Sequence, residues 1–225
     1  MANEPGLHGR KVVIVGASDV AAAAIAVALA EAGADVGLTT ATDNAEEALL
    51  LKRLALRLAD MGRKSVAESI DLGNITAVQQ ALRRISATLG GIDVLFVSTD
   101  TMQEKPTERL NELDWSLLVN RNLGSILFAC QAGLREMAAR LPGLPKGRVI
   151  VLVHEPSDHG MAAYMALRHA VDGLVPALAW EWNQAPVTVN GIGIPAGASN
   201  TAVTDRALWL VSANAENVSG QVSWL

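Results

Sequence analysis

Cysteine is nearly absent from this sequence, and so are tyrosine and phenylalanine. The chain of 225 residues holds one cysteine, Cys130, one tyrosine, Tyr164, and two phenylalanines. A single cysteine excludes a disulfide within the chain and a metal site built on cysteine ligands. The first residues, MANEPGLHGRK, include no apolar stretch of the kind that a secretory signal peptide requires. These absences predict a cytoplasmic protein.

A basic surplus and long apolar runs are missing as well. The chain has 18 lysines and arginines against 23 aspartates and glutamates, so its formal net charge is −5. Nothing in that balance neutralises phosphates, and we expect no nucleic-acid partner. Polar residues interrupt every apolar run before it reaches the roughly 18 residues of a membrane span, and we expect no membrane association. Hydrophobic residues make up 50% of the chain, which is enough for a sizeable core.

Strand-like segments alternate with helical ones along most of the chain. The run Val12 to Val15 is continuously apolar, as is typical of a parallel strand covered on both faces. The other predicted strands are 34–39, 66–70, 92–97, 148–153, 187–194 and 221–224. The predicted helices are 18–32, 44–60, 75–89, 111–140, 162–182 and 207–212. This rhythm predicts a single α/β domain over 1–225, a Rossmann-like doubly wound parallel sheet of about seven strands with helices on both faces.

Six segments, taken in order, resemble the short-chain dehydrogenase/reductase family over nearly the whole chain. They are IDVL (92–95), WSLLVNRNLGSILFACQA (115–132), GRVIVLVHE (147–155), AAYMALRHAVDGLVPALAWEW (162–182), VTVNGIGIPAG (187–197) and ALWLVSANAENVSGQV (207–222). No single segment is specific, but their shared order is. The resemblance implies an oxidoreductase that uses NAD or NADP on a small carbonyl or alcohol.

The resemblance assigns four catalytic positions. Tyr164 falls at the acid/base position and would donate the proton. One helical turn later, Arg168 replaces the family lysine and would be its electrostatic partner; a planar guanidinium is not a conservative substitute. His154 replaces the catalytic serine and would orient the carbonyl. Asn122 matches the active-site asparagine and would anchor the proton relay.

The glycine-rich turn of the family, T-G-x-x-x-G-x-G, is matched here only at its first glycine, Gly16. Val20 stands at the second glycine, where a β-branched side chain hinders the approach of the pyrophosphate. Ser18 and Asp19 lie in the same turn, and Asp19 adds a carboxylate near the expected phosphate position. The turn therefore keeps its architecture while its phosphate cradle is compromised.

The rest of the cofactor site is altered in the same direction. Thr99 and Asp100 replace the small residues of the family's Asn-Asn-Ala-Gly motif and are expected to fill cofactor space. Asp71 matches an acid that contacts the adenine, although a role as a cap or surface carboxylate is equally open. Thr40 and Ala41 supply neither the acid that selects NAD nor the base that selects NADP. We predict that binding of NAD or NADP is weak or absent.

Two function hypotheses follow. The first is an NAD(P)-dependent oxidoreductase with a degenerate site. The second is a catalytically impaired pseudoenzyme that acts as a binding or assembly module, with a small-molecule ligand still possible. Residues 201–206 lead directly into the helix predicted at 207–212, so the family's substrate lid is largely deleted there. Without a lid, closure over a substrate is hard to arrange.

Two further expectations concern metals and assembly. The residues His154, Glu155, Asp158 and His159 crowd one loop, but such groups are more often solvated than metal-bound, and we predict no metal site. The helices at 111–140 and 162–182 are apolar around more of their circumference than one buried face requires. The resemblance implies that they pair in a homodimer or homotetramer.

Overall fold

The computed structural model describes residues 6–99, 105–138, 145–155 and 162–225. These residues form one seven-stranded parallel sheet in the order β3-β2-β1-β4-β5-β6-β7. The strands are β1 Lys11–Val15, β2 Asp35–Thr39, β3 Ser65–Glu68, β4 Val94–Ser98, β5 Gly147–His154, β6 Val187–Ile194 and β7 Val222–Trp224. The helices are α1 Val20–Glu31, α2 Ala45–Asp60, α3 Ile75–Leu89, α4 Glu112–Val119, α5 Ser125–Ala138, α6 Ala162–Glu181 and α7 Asn200–Val211.

The core consists of two layers, one on each face of the sheet. Along β1, Val12 and Ile14 face α1, α2 and α7, whereas Val13 and Val15 face α3, α5 and α6. All four side chains are fully buried, as the alternation of side chains along a strand requires when both faces are covered. The Rossmann-like α/β fold predicted from the sequence is confirmed.

The strand order reverses direction between β1 and β4. In an open parallel sheet, ligands bind outside the carboxyl ends of the strands at this switch point. The turn after β1 and the last residues of β4 and β5 all meet there. The fold therefore brings Gly16, Ser98 and His154 to the same edge of the sheet.

Two predicted helices have different bounds in the structure. The long helix expected at 111–140 is divided: α4 ends at Val119, a π-helical turn covers Asn120–Gly124, and α5 begins at Ser125, while residues 139–144 lie outside the described part. The last helix begins at Asn200 rather than at 207, because the Ser199 hydroxyl accepts a hydrogen bond from the Ala202 N–H at 3.2 Å and caps it. Residues 201–206 are thus the first half of α7.

Candidate active site

The four predicted catalytic residues line one pocket at the carboxyl ends of β4 and β5. The residues that line it are Thr99, Asn122, Ile126, Leu152, Val153, His154, Tyr164, Leu167, Arg168 and Val171. Four of them follow the i, i+3, i+4, i+7 pattern along α6 and so share one face of that helix. The cavity inside the pocket has a volume of about 20 Å³, which suits a single water molecule.

Tyr164 and Arg168 enter this pocket from α6 in different environments. Tyr164 is buried. The Arg168 guanidinium lies 4.2 Å from the centre of the Trp224 ring, a cation–π contact, and its Nη1 is 3.3 Å from His169 Nε2. Arg168 is therefore oriented by the C-terminal strand as well as by its own helix.

Trp224 is a residue that the sequence analysis missed. It occupies β7 beside Gly193, where a Cβ atom would come within 2.2 Å of the indole ring, so only glycine leaves room for the ring. A tryptophan at the end of the last predicted strand was the available signal. It carried no information about which side chain the indole ring covers.

Asn122 sits in the middle of the π-helical turn that interrupts the α4–α5 segment. Its Nδ2 donates to the Leu118 carbonyl at 3.0 Å, and its own carbonyl accepts from the Thr99 hydroxyl at 3.3 Å. Single π-turns occur frequently at functional sites, since they redirect one residue of a helix. Thr99 is thereby joined to the candidate catalytic group, while Asp100 lies outside the described residues.

His154 connects the pocket to the turn after β1 through two other polar side chains. Its Nε2 lies 3.1 Å from the Ser98 hydroxyl, which in turn lies 2.5 Å from Asp19 Oδ2. The other carboxylate oxygen of Asp19 accepts the Ala22 N–H at 2.7 Å and caps α1. The sequence analysis considered His154 and Asp19 separately and missed Ser98, which links them.

The turn after β1 keeps the shape of a dinucleotide cradle. Gly16 has φ +77°, and a Cβ atom there would come 2.0 Å from the Ser98 carbonyl oxygen, so the turn packs against β4. Val20, at the position of the family's second glycine, is 73% exposed at the start of α1. The carboxylate of Asp19 places a negative charge at the amino end of α1, where a diphosphate would approach.

A second carboxylate, that of Glu47 on α2, reaches the loop that follows β2. It accepts hydrogen bonds from the Ser18 and Thr42 hydroxyls, both at 2.7 Å, and from the backbone N–H groups of Ala41 and Thr42 at 3.3 and 3.2 Å. Burial raises the pKa of the Glu47 carboxyl, but these hydrogen bonds outweigh burial and the net pKa is lowered. The sequence analysis missed Glu47, because it lies on α2 rather than at the strand end.

Asp71 serves the turn that precedes α3. Its Oδ1 accepts the Gly73 N–H at 2.9 Å, and its Oδ2 lies 3.4 Å from Arg121 Nη2. The Asp71 carboxylate thus holds the turn before α3 and pairs with Arg121, and its contact with adenine stays a prediction. Asn74, the next residue but two, supplies the cap of α3 itself.

Two other features lie away from the predicted site residues. A larger pocket lies at the amino ends of the strands, beside Arg10, Arg148 and Glu216, remote from the predicted residues. There burial and the neighbouring Arg10 charge lower the pKa of Arg148. Burial raises the pKa of the Cys130 thiol to about 12, so this cysteine is unreactive.

Two absences hold for the part of the chain that the structure describes. It contains no group of three or more histidine, cysteine, aspartate or glutamate side chains placed to hold a metal ion. Asp158 and His159 from the crowded loop lie outside it. None of its helices combines the length and apolar character that crossing a membrane demands.

Comparisons with known proteins agree with this architecture. The chain is 26% identical to gluconate 5-dehydrogenase from Gluconobacter oxydans, covering 97% of this chain and 85% of the relative. It is also 26% identical to 2-dehydro-3-deoxy-D-gluconate 5-dehydrogenase from Escherichia coli, covering 89% and 77%. A short chain dehydrogenase from Burkholderia cenocepacia, solved in complex with NADP, superposes with a TM-score of 0.85 at 23% identity over 98% of this chain and 97% of that one.

The family model for short chain dehydrogenases matches residues 10–207, which include the turn after β1, the π-helical turn and the candidate catalytic pocket. The protein is therefore a member of the short chain dehydrogenase family.

Proposed function

We propose that the protein is an NAD(P)-dependent oxidoreductase that acts on a small carbonyl or alcohol substrate and binds its cofactor weakly. The observation that supports this proposal is the convergence of Tyr164, Asn122, His154 and Arg168 on one pocket at the switch point of the sheet. The four residues come from three separate elements, and structural packing alone gives no reason to gather their polar groups there.

In the reduction direction, each side chain has a distinct task. A dinucleotide held along the turn from Gly16 to Val20 would supply the hydride that reduction of a carbonyl requires. The Tyr164 hydroxyl donates its proton to the substrate oxygen, so the carbonyl becomes an alcohol. His154 orients that oxygen, and the positive charge of Arg168 in the same pocket stabilises the tyrosinate that remains. The main chain at Asn122 holds the path by which Tyr164 regains its proton.

The cofactor would lie along the turn from Gly16 to Val20, with the amino end of α1 at its diphosphate. The proposal of weak affinity rests on charge. The carboxylates of Asp19 and Glu47 accept hydrogen bonds from backbone N–H groups and hydroxyls of this cleft, so these donors are not free to bind a phosphate. A dinucleotide adds negative phosphates beside both carboxylates, and in a partly buried cleft that repulsion is screened less than on a surface.

Gluconate and other sugar acids are the first substrates to test, because two similar relatives are named for dehydrogenation of gluconate derivatives. The compact pocket and the predicted deletion of the lid near 201–206 both favour a small substrate. A polyhydroxylated acid also offers a carboxylate to Arg168.

A pseudoenzyme that serves as a binding or assembly module is the second candidate. The observation that favours it is the pair of carboxylates, Asp19 and Glu47, in the dinucleotide cleft. In that case the pocket residues would be remnants that hold the sheet edge together.

We also propose that the protein forms at least a homodimer through α4, α5 and α6. Several large apolar side chains of these helices are exposed in the single chain: Leu113, Trp115, Leu117, Leu127 and Trp180, the last at 75%. Exposed apolar groups concentrated on neighbouring helices are typical of an interface, and we expect a contact of about 1,500 Å² or more. Sedimentation at micromolar concentration tests this, and a lone 23.6 kDa species would contradict it.

The deciding experiment combines binding with turnover. NAD(H) and NADP(H) are titrated by calorimetry, and gluconate and small carbonyls are then assayed at saturating cofactor. The oxidoreductase proposal expects measurable binding and a turnover that Tyr164→Phe removes. Val20→Gly is expected to tighten cofactor binding, because it removes the β-branched side chain that hinders the approach of the pyrophosphate. No binding at millimolar cofactor, together with no turnover, would favour the pseudoenzyme.

A further inference from the structure

The inner wall of the catalytic pocket contains a chain of three hydrogen-bonding side chains. Asp19 lies at the N-cap of α1, Ser98 ends β4, and His154 ends β5. The Ser98 hydroxyl oxygen is 2.5 Å from Asp19 Oδ2 and 3.1 Å from His154 Nε2, and the distance from Asp19 Oδ2 to that nitrogen is 3.9 Å. Ser98 therefore connects the carboxylate to the imidazole.

The protons in this chain can be assigned from the chemistry of each group. An ionised carboxylate only accepts hydrogen bonds, so the single proton of the Ser98 hydroxyl must point to Asp19. The Ser98 oxygen can then only accept from His154, and Nε2 must carry a proton. The other ring nitrogen, Nδ1, has no hydrogen-bond partner within the described residues. It is therefore the nitrogen that is bare in the neutral ring and protonated in the imidazolium.

We propose that Asp19, acting through Ser98, fixes His154 in the Nε2–H form and makes Nδ1 the ring atom that contacts the substrate oxygen. The part of this inference that concerns substrate rests on the proposed oxidoreductase function. Asp19 and Ser98 are positioning residues, and His154 is the group that touches the substrate.

The fixed tautomer gives the two reaction directions opposite requirements. Neutral His154 presents a lone pair at Nδ1 and accepts a hydrogen bond from an alcohol. A carbonyl oxygen needs a donor, which Nδ1 provides only when the ring is protonated. Carbonyl binding should therefore require the protonated ring, whereas alcohol binding should require the neutral one.

The groups that face His154 within the described residues come from several elements. Asp19 approaches from α1, Tyr164 and Arg168 line the same pocket from α6, and Glu155 follows His154 in the chain. Asp19 is the only one of these four groups that an ion-pair distance places near Nε2. Asp19 contributes a negative charge on the Nε2 side of the ring, and Arg168 contributes a positive charge to the same pocket.

The same three residue types form the nucleophilic triad of hydrolases, but their order here is different. In such triads the aspartate accepts from the histidine Nδ1, and the serine gives its proton to the histidine. In this protein the carboxylate contacts the serine, and Ser98 is only 1% exposed. The arrangement orients an imidazole and does not activate a serine.

Asp19→Asn is the decisive variant, because it reverses the donor and acceptor roles in the hydrogen bonds from residue 19 through Ser98 to His154 while the side chain keeps its shape. The asparagine oxygen still accepts the Ala22 N–H, and its amide donates to Ser98 where the carboxylate accepted. The Ser98 proton then turns to His154 Nε2, and the ring proton moves to Nδ1. Nitrogen-15 spectra of histidine-labelled protein above the His154 titration report which ring nitrogen is protonated.

We expect the Nε2–H form in the native protein and the Nδ1–H form in Asp19→Asn. Asp60→Asn makes the same chemical change at an exposed site and should leave the His154 signals unchanged. Ser98→Ala removes the connection and should yield a mixture of tautomers. An Nδ1–H native protein, or an Asp19→Asn variant that stays Nε2–H, would overturn the inference.

A second measurement addresses the substrate. The KM for a carbonyl substrate should rise with pH in the native enzyme and become independent of pH in Asp19→Asn, where Nδ1 is a donor without being charged. A native KM that does not change with pH would refute the assignment of Nδ1 as the substrate contact. The spectra need no turnover, so the tautomer assignment stands or falls separately from the proposed function.

Discussion

The two halves of the cleft at the carboxyl edge of the sheet differ in the polar side chains that they contain. On the substrate side, Tyr164, Asn122, His154 and Arg168 converge on one pocket with polar groups suited to proton transfer. On the dinucleotide side, the turn after β1 and the end of β2 keep their backbone shape, but Asp19 and Glu47 occupy their hydrogen-bond donors.

The backbone shape of the dinucleotide half and its charge depend on different contacts. Gly16 is fixed by its close packing against the Ser98 main chain, which is a contact within the fold. The carboxylates of Asp19 and Glu47 are held by backbone N–H groups of a helix cap and a turn. Such N–H groups can bind any anion, whether a ligand phosphate or a side chain of the same protein. A cleft can therefore contain a closely packed glycine turn while carboxylates of the same chain occupy its hydrogen-bond donors.

The largest expected effect tests the substrate half. Tyr164→Phe removes the only phenolic hydroxyl of the chain while the ring stays packed in its buried position. Loss of a general acid should lower kcat by about 100-fold or more, with little change in folding. Steady-state kinetics beside circular dichroism would measure this. A fully active variant would show that the pocket is not the catalytic site.

The next effect tests the dinucleotide half. Asp19→Asn keeps the cap on α1 but removes a negative charge from the diphosphate region. Affinity for NADH should improve about tenfold, equivalent to about 1.4 kcal/mol. Calorimetric titration measures it, with Asp60→Asn as a control of equal charge change at an exposed position. Weaker binding in Asp19→Asn would mean that the carboxylate helps to hold the cofactor.

A smaller effect distinguishes the two cofactors. Glu47→Gln removes the charge at the end of β2, and NADP affinity should rise about threefold to tenfold relative to NAD, since the 2′-phosphate of NADP meets that charge. Parallel titrations of the two cofactors give the ratio. An unchanged ratio would place the ribose elsewhere.

Glu47 also makes a prediction about pH. Its pKa is lowered in the folded protein, so its stabilisation is present above the pKa of the unfolded chain and is lost as the pH falls through the folded value. The native protein should be more stable than Glu47→Gln by at most about 1 kcal/mol near neutral pH, because the group is partly exposed. Urea unfolding should show the gap closing in acid; a constant gap would contradict the prediction.

The smallest effect concerns the arginine on α6. Arg168→Lys exchanges the stacked guanidinium for an ammonium group, and the free energy of unfolding should fall by about 0.5–1 kcal/mol. Turnover should be kept or raised, as expected if only a positive charge is needed near Tyr164. Arg206→Lys is the matched control, because Arg206 lies 5.6 Å from the Trp209 ring in a looser stack. Loss of turnover in Arg168→Lys would show that guanidinium geometry matters.

Much of the fold could be predicted because its signals are local. Continuous apolar runs predicted the strands, and the stripe from Ile75 to Leu89 predicted α3 at its observed bounds. The division of the helix at Asn120–Gly124 could not be predicted in this way. A π-turn changes the backbone pattern of five residues without changing their hydrophobic period, and in this protein the turn packs against α6.

The candidate site was predicted where motif positions fixed it and missed where contacts fixed it. Tyr164, Asn122 and His154 were identified by their place in a sequence order that the fold then brought together. Ser98, Glu47 and Trp224 were missed, because their roles depend on neighbours that lie 79, 29 and 56 residues away.

By itself, the sequence determined which strands are buried, where most helices begin and end, and which residue types stand at the family positions. These properties depend on the period of apolar residues and on capping side chains, both of which act within a few residues. Only the tertiary structure decided which groups the functional residues contact. Hydrogen bonds and ring stacking form between side chains that approach within a few ångströms, and that proximity is created when distant segments pack on the same edge of the sheet.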